Sequence, residues 1–171
     1  IDLSGYTLLN KLSVFLKKPA PIQISWAGYL ASTGLDEIDY IITDPYVESK
    51  KNNNQFLEKT YKMPNIWCHF SKPAFDLFIS ENIPALKNGF VTFGSFNSLS
   101  KINFEVINLW AKILQLIPNS KIFLKTKQLD DKEVRNIILK RFHNNAIDDN
   151  RIILEGSSDR KTLLEKYNLV D

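Results

Sequence analysis

The sequence predicts an α/β protein built on doubly wound parallel sheets. From residue 90 onward, strand-like and helix-like segments alternate with short links, the pattern of parallel strands joined by crossover helices. At 93–102 a buried strand runs into a polar loop and then an amphipathic helix, the order in which such a sheet presents a ligand loop. The first half carries two further short apolar strands, set apart by glycine-punctuated loops.

Taken in order, residues 1–3 read as a strand end and 8–16 as a helix. Pro19-Ala20-Pro21 introduces a strand over 22–26, and Gly28 and Gly34 punctuate the loop 27–34. The strand over 38–44 stops at Pro45, which has no N–H for a ladder. The polar run 48–54 reads as a solvated surface loop, because it has too little apolar surface to bury. Pro73, Pro84 and Gly89 interrupt short apolar stretches. This places a domain junction at 73–88, between a first half at 1–72 and a second at 89–171. In that second half the series is strand 90–96, helix 104–117, strand 121–125, helix 131–143, strand 151–154 and helix 159–167. Asn103 is a good N-cap for the helix over 104–117 and Pro118 its stop. Short links between parallel strands imply right-handed crossovers.

At 171 residues the chain can bury one sizeable core or two small ones, and 44% hydrophobic residues argue for a globular rather than a disordered protein. The 22 basic and 19 acidic residues are spread along the chain, so a net charge of +3 demands neither nucleic acid nor an anionic membrane as partner. Cys68 stands alone, which excludes an intramolecular disulfide and suits a reducing compartment. With no apolar run of transmembrane length and no charged-then-apolar leader, the expected location is cytoplasmic. The opening at Ile1 and the close at Leu169-Val170-Asp171, both strand-like, predict a piece of a longer protein.

Every strand-to-helix loop of a parallel sheet emerges at the carboxyl edge, which gathers residues distant in sequence. Lys101 follows the first strand of the second half, Lys125 ends the second strand, and Arg160 lies in the first helical turn after the third, beside Ser157, Ser158 and Asp159. Helix-terminal amides and the helix dipole favour an anion, and Lys101 adds a full charge beside them. The physical reading is a phosphate or diphosphate site. The glycine fingerprint G-x-G-x-x-G is absent, and a solvated loop lysine has the same local sequence. A cation in a first helical turn opposes the dipole, so Arg160 calls for an anionic partner or points to water. His69 and His143 lack neighbours at metal-ligand spacing, so no metal is expected. Cys68, among Trp67, His69 and Phe70, reads as a small buried hydrophobe, and Trp26, Trp67 and Trp110 as core residues. No G-x-S-x-G elbow exists, and Asp39 and Asp44 flank a strand without forming an acid/base pair.

Three separated motifs, in order, then carry a resemblance: residues 18–29 (Lys-Pro-Ala-Pro-Ile-Gln-Ile-Ser-Trp-Ala-Gly-Tyr), 38–44 (Ile-Asp-Tyr-Ile-Ile-Thr-Asp) and 89–97 (Gly-Phe-Val-Thr-Phe-Gly-Ser-Phe-Asn) through Lys101. Together with Pro118-Asn119-Ser120 and the ending 163–171, the chain resembles over nearly its whole length the protein O-GlcNAc transferases of glycosyltransferase family 41, the O-linked N-acetylglucosamine transferase and Spindly group.

The resemblance implies a GT-B architecture, in which two Rossmann-like halves face each other with the nucleotide sugar between them. On it, 1–72 is the end of the N-terminal catalytic half and 89–171 the start of the nucleotide-sugar-binding half. It implies inverting, metal-independent transfer of N-acetylglucosamine from UDP-GlcNAc to Ser and Thr hydroxyls of acceptor proteins, with no cofactor. Lys101 matches the family lysine that neutralises the departing diphosphate, and is the expected catalytic residue. Arg160 matches a basic residue near the nucleotide, Ser158 lies where the family's backbone meets the uracil, and Ser98 falls at a further nucleotide-contacting position. Ala27 and Gly28 match the turn that approaches the donor sugar. The loop 28–34 departs from the family's Gly-Tyr-Pro-Gly, and Leu163 stands where some relatives carry histidine. The family's upstream histidines, its Thr-rich nucleotide loop and its tetratricopeptide repeats fall outside this chain, so the isolated piece is expected to be inactive. Two rival readings are a transferase using another nucleotide sugar or a non-protein acceptor, and a non-catalytic nucleotide-binding or interaction module.

Overall fold

The computed structural model describes residues 1–47 and 55–171, so the polar run 48–54 lies outside the described residues. The chain divides into two compact units, 1–72 and 73–171.

The first unit is a parallel sheet in the order β1 (Ile24–Ser25), β2 (Tyr40–Thr43), β3 (Lys59–Lys62). β3 is not foreseen by the sequence reading. All four of its side chains are exposed, so it carries no apolar alternation, and two lysines mark it as an edge strand. The expected strand at 1–3 is a single parallel bridge between Asp2 and Ser25. The helix expected at 8–16 shrinks to α1 (Leu12–Phe15), because Leu9 turns left-handed at φ 62° and no side chain caps the start.

Buried and half-buried polar side chains hold the loops of this unit. Asp39 accepts from Lys18 Nζ at 2.7 Å and from the Gln23 amide at 2.7 Å. Those two bonds, that from Lys18 first, hold its carboxyl below the usual value. Glu58 is buried and accepts from Ser32 Oγ at 2.9 Å, the Thr33 amide at 2.6 Å and the Thr33 hydroxyl. Asp44, just past β2, accepts from the amides of Tyr46, Val47 and Trp67 at 2.8 to 2.9 Å. Burial alone would raise the Asp44 pKa, but the three amides outweigh it and the carboxyl titrates low.

The second unit has α2 (Pro84–Asn88) at its start, then β4 (Thr92–Ser95), α3 (Phe104–Leu116), β5 (Lys121–Lys125), α4 (Lys132–His143), β6 (Ile152–Glu155) and α5 (Arg160–Glu165). The three strands are parallel in the order β4-β5-β6. α3, α4 and α5 each begin at a side-chain cap: Asn103 accepts from the Val106 amide, Asp131 from those of Glu133 and Val134, and Asp159 from that of Thr162. α3 stops before Pro118, where Arg151 reaches over from the start of β6. Its guanidinium donates to the carbonyls of Leu114 at 2.7 Å, Ile117 at 2.9 Å and Ser120 at 2.9 Å. The residue four on from Leu114 is Pro118, which has no N–H to offer, whereas the Ile117 carbonyl also accepts from the Ser120 amide at 3.0 Å.

The sheet is covered on both faces. Ile107, Ala111 and Leu114 of α3 and Ile138 and Phe142 of α4 pack with Ile122 and Leu124 of β5, all at most 4% exposed. Burying each large aliphatic side chain there stabilises by about 1.5–3 kcal/mol. Phe123 points to the opposite face, where its ring meets Phe96 at 5.1 Å edge-on and Phe96 meets Tyr167 at 4.4 Å. Beyond α5 the chain returns to the edge of β4 that β5 does not use: Asp171 N–H donates to the Thr92 carbonyl at 3.0 Å and the Asp171 carboxylate accepts from the Thr92 amide at 2.9 Å. The winding therefore reverses at β4, and the carboxyl end of β4 is the topological switch point where ligands bind in such sheets.

Candidate functional site

The switch point is occupied by the loop that the sequence singled out. β4 ends at Ser95, and the chain makes a 3₁₀ turn over Leu99–Lys101 before Asn103 caps α3. Ile102 and Ile107 anchor this loop in the core at 6% and 0% exposure. Lys101 is exposed, and its ammonium has no hydrogen-bond or ion-pair partner among the described residues. A full positive charge thus stands beside the positive end of a 13-residue helix, an arrangement that attracts an anion.

Ser98 caps the 3₁₀ turn. Its hydroxyl accepts from the Ser100 amide at 3.4 Å and from Gln128 Nε2 at 2.7 Å. Gln128 lies in the loop after β5, so the first two strand-exit loops of this edge are tied directly together. The third, Gly156-Ser157-Ser158-Asp159, follows β6. Asp130 accepts from the Ser157 amide at 2.8 Å and from the Ser157 hydroxyl, and these bonds, the hydroxyl's first, hold its carboxyl below the ordinary range. Ser158 is exposed, with its hydroxyl donating to the Asp159 carbonyl at 3.3 Å, and Arg160 is the exposed first residue of α5. Asp159 at the N-cap supplies negative charge where Arg160 opposes the helix dipole.

Lys125 departs from the expectation of a cation presented to a ligand. It is 3% exposed, and its ammonium bonds Glu155 at 3.3 Å and the Gly156 carbonyl at 3.0 Å. At the end of a central strand the side chain lies within the sheet edge, where a buried ammonium must be paired. Glu155 is shared with Lys166 at 2.7 Å; burial would raise its pKa, but the two lysines outweigh it and hold it low. Lys125 is therefore a strut beneath the Gly156 loop.

In the first unit, Ala27 is exposed and left-handed at φ 67°, a conformation costly for a side chain with a Cβ. Gly28 has a reason of its own to be glycine, since a Cβ there would lie 2.1 Å from the Leu3 carbonyl oxygen and 2.6 Å from Ser4 Cα. Two expectations nearby fail. Cys68 is exposed rather than buried, and Trp26 is 38% exposed, with its indole N–H donating to the Trp67 carbonyl at 2.8 Å. Asp44 pulls the Trp67 amide inward, and the residues beside it in this irregular stretch face out. His69 and His143 are both exposed. Among the described residues no three His, Cys, Asp or Glu side chains are grouped to hold a metal ion, and no helix is long and apolar enough to cross a membrane.

The residues that sequence reasoning missed are Gln128 and Asp130. Polar residues after a strand carry no signal of their own, and their partners lie 30 and 27 positions away.

Residues 1–70 match the model of glycosyl transferase family 41. A Hordeum vulgare protein named "Probable UDP-N-acetylglucosamine-peptide N-acetylglucosaminyltransferase SPINDLY" is 37% identical over 155 residues, 90% of this chain and 16% of that protein. An Arabidopsis thaliana protein of the same activity name, SEC, is 32% identical over 133 residues, 72% of this chain and 13% of its own length. The solved structure of a mutant Thermobaculum terrenum O-GlcNAc transferase superposes with a TM-score of 0.86 at 28% identity, covering 99% of this chain and 32% of that one. The chain thus spans about a sixth of the length of the barley relative. Its parallel α/β units are those of a GT-B glycosyltransferase, and the chain belongs to glycosyl transferase family 41.

Proposed function

We propose that the protein containing this chain transfers N-acetylglucosamine from UDP-GlcNAc to serine and threonine hydroxyls of other proteins. The observation that carries the reading is the unpartnered Lys101 ammonium on the switch-point loop, beside the N-terminus of α3. The names of the relatives supply the donor and the acceptor class.

In this reaction the acceptor oxygen attacks C1 of the sugar and loses its proton, while the bond from C1 to the diphosphate oxygen breaks with inversion. Negative charge grows on the departing UDP, and the group that meets it there stabilises the transition state more than the ground state. Lys101 performs this step, helped by the amides at the start of α3, so that no metal ion or cofactor is required. Arg160 and Ser158 border the nucleotide on the loop after β6, Ser98 on the lysine loop, and Ala27 and Gly28 belong to the turn that approaches the donor sugar. The protein acts in the cytoplasm, with tetratricopeptide repeats elsewhere in the parent presenting the acceptors. The 171 residues alone, a small part of the relatives' length, do not turn over.

The test is a panel of UDP- and GDP-linked sugars offered to the full-length protein with a peptide acceptor, in the wild type and in Lys101→Ala. The expected result is transfer from UDP-GlcNAc, with kcat reduced about 10²–10³-fold in the variant, the usual cost of losing one charge-stabilising donor. Preference for another donor would replace UDP-GlcNAc in the reading. UDP binding without transfer from any donor would favour a nucleotide-binding module, and unchanged turnover in the variant would remove Lys101 from the chemistry.

A further inference from the structure

We propose that the exit of β5, residues 126–130, is a positioning strap that sets the geometry of both nucleotide-facing loops without touching the nucleotide itself. This rests on the functional reading above and adds two residues to it, Gln128 and Asp130.

The strap is fixed from below. Leu129 is fully buried in the core, in a turn that packs against α4 and β6, and its carbonyl accepts from the Arg135 guanidinium. A residue so held cannot drift, and its two neighbours project from a rigid base. On one side Gln128 Nε2 donates to Ser98 Oγ at 2.7 Å, while Gln128 Oε1 accepts from Thr126 Oγ1 at 2.5 Å, which fixes the amide orientation. On the other side Asp130 takes both polar groups of Ser157, the amide at 2.8 Å and the hydroxyl. Beneath it Lys125 holds the carbonyl of the preceding Gly156 at 3.0 Å. The fit is tight enough that a Cβ on Gly156 would fall 1.8 Å from Asp130 Oδ1.

One five-residue segment therefore grips the loop carrying Ser98 and Lys101 and the loop carrying Ser158 and Arg160. Exposed loops of small polar residues sample many conformations, and binding must otherwise meet the cost of ordering them. With the strap intact that ordering is done before the nucleotide arrives. Without it the loops keep their chemistry and lose their spacing, which weakens nucleotide binding and leaves the acceptor side alone.

The experiment uses the full-length protein with Asp130→Ala, Ser157→Ala, the double variant, and Asp130→Asn. Asparagine keeps the shape and one acceptor oxygen. The expected result is a roughly tenfold rise in donor KM for Asp130→Ala, which is about 1.4 kcal/mol, and a smaller rise for Ser157→Ala, which keeps the amide bond. The double variant should be no worse than Asp130→Ala alone, because that change already removes both bonds to Ser157. Asp130→Asn should recover most of the loss, with acceptor KM and melting temperature near wild type throughout. Unchanged donor KM, additive effects, or a parallel rise in acceptor KM with loss of stability would each overturn the strap. If the wild-type protein binds UDP but transfers no sugar, the functional reading falls alone. The strap then stands or falls on the UDP Kd, which Asp130→Ala must still weaken about tenfold. A wild type with no affinity for UDP would overturn both.

Discussion

Replacing Gly28 by alanine should loosen the first unit by about 3 kcal/mol, whatever the turn does for a donor sugar. The added Cβ would lie 2.1 Å from the Leu3 carbonyl oxygen, 2.6 Å from Ser4 Cα and 2.7 Å from the Leu3 carbonyl carbon. Ordinary contact needs about 3.5 Å, so the Leu3-Ser4 backbone must retreat by more than about 1 Å. That backbone is pinned on its N-terminal side. The Asp2 amide donates to the Ile24 carbonyl at 2.8 Å, the Trp26 amide to the Asp2 carbonyl at 2.9 Å, and the Asp2 carboxylate holds the amides of Ser4 at 3.1 Å and Gly5 at 2.8 Å. Losing two or three such bonds, at a net 0.5–1.5 kcal/mol each, gives about 3 kcal/mol. For a chain of this size that lowers the melting temperature by roughly 6–12 °C. Thermal unfolding of wild type and Gly28→Ala measures the shift, and hydrogen exchange locates it at the amides of Ser4, Gly5 and Trp26. A melting temperature unchanged within about 1 °C, with unchanged exchange at those amides, would refute the packing argument.

Arg151→Ala should destabilise the second unit by about 2–3 kcal/mol, because one guanidinium donates to the carbonyls of Leu114, Ile117 and Ser120 between α3 and β5, a net 0.5–1.5 kcal/mol for each bond lost. Denaturant unfolding should show a lower midpoint at unchanged slope, and an unmoved midpoint would contradict the capping role. The Asp130 tether should weaken in acid. Its carboxyl is held below the ordinary 3.8, so the charged tether is at full strength above about pH 4 and weakens as the pH falls through the lowered value. Exchange at the Ser157 amide, corrected for its intrinsic rate, should accelerate below pH 4 while that of Leu124 in the sheet does not. Equal acceleration at both would mean general unfolding.

The second unit was legible because several local signals agreed there. Asn103, Asp131 and Asp159 each cap the helix that the apolar spacing outlines, and Pro118 marks where α3 has to end. The strand at 121–125 has its expected bounds, since four of its five side chains are buried and so are plain in the hydrophobic pattern. β3 was invisible for the opposite reason: Lys59-Thr60-Tyr61-Lys62 buries nothing, and only pairing with β2 makes it a strand. α1 was overread, because apolar Leu8 and Leu9 suggested a helix but stand 91% and 82% exposed outside it.

At the candidate site, sequence reasoning located the Lys101 loop through a topological rule that needs only strand order. It could not tell a free lysine from a buried one. Lys101 and Lys125 both follow apolar strands, yet one stands in solvent and the other is tied to Glu155 and the Gly156 carbonyl. The difference is one of register. Lys125 still pairs with Glu155 in the β5-β6 ladder, whereas Lys101 lies six residues past the last residue of β4.

The most direct measurement is a crystal structure of the full-length protein with UDP bound. The account predicts the diphosphate at the carboxyl end of β4, with Lys101 Nζ about 2.7–2.9 Å from one of its oxygens, the distance of a charge-assisted hydrogen bond. A diphosphate bound elsewhere, or bound there with Lys101 turned to solvent, would contradict it.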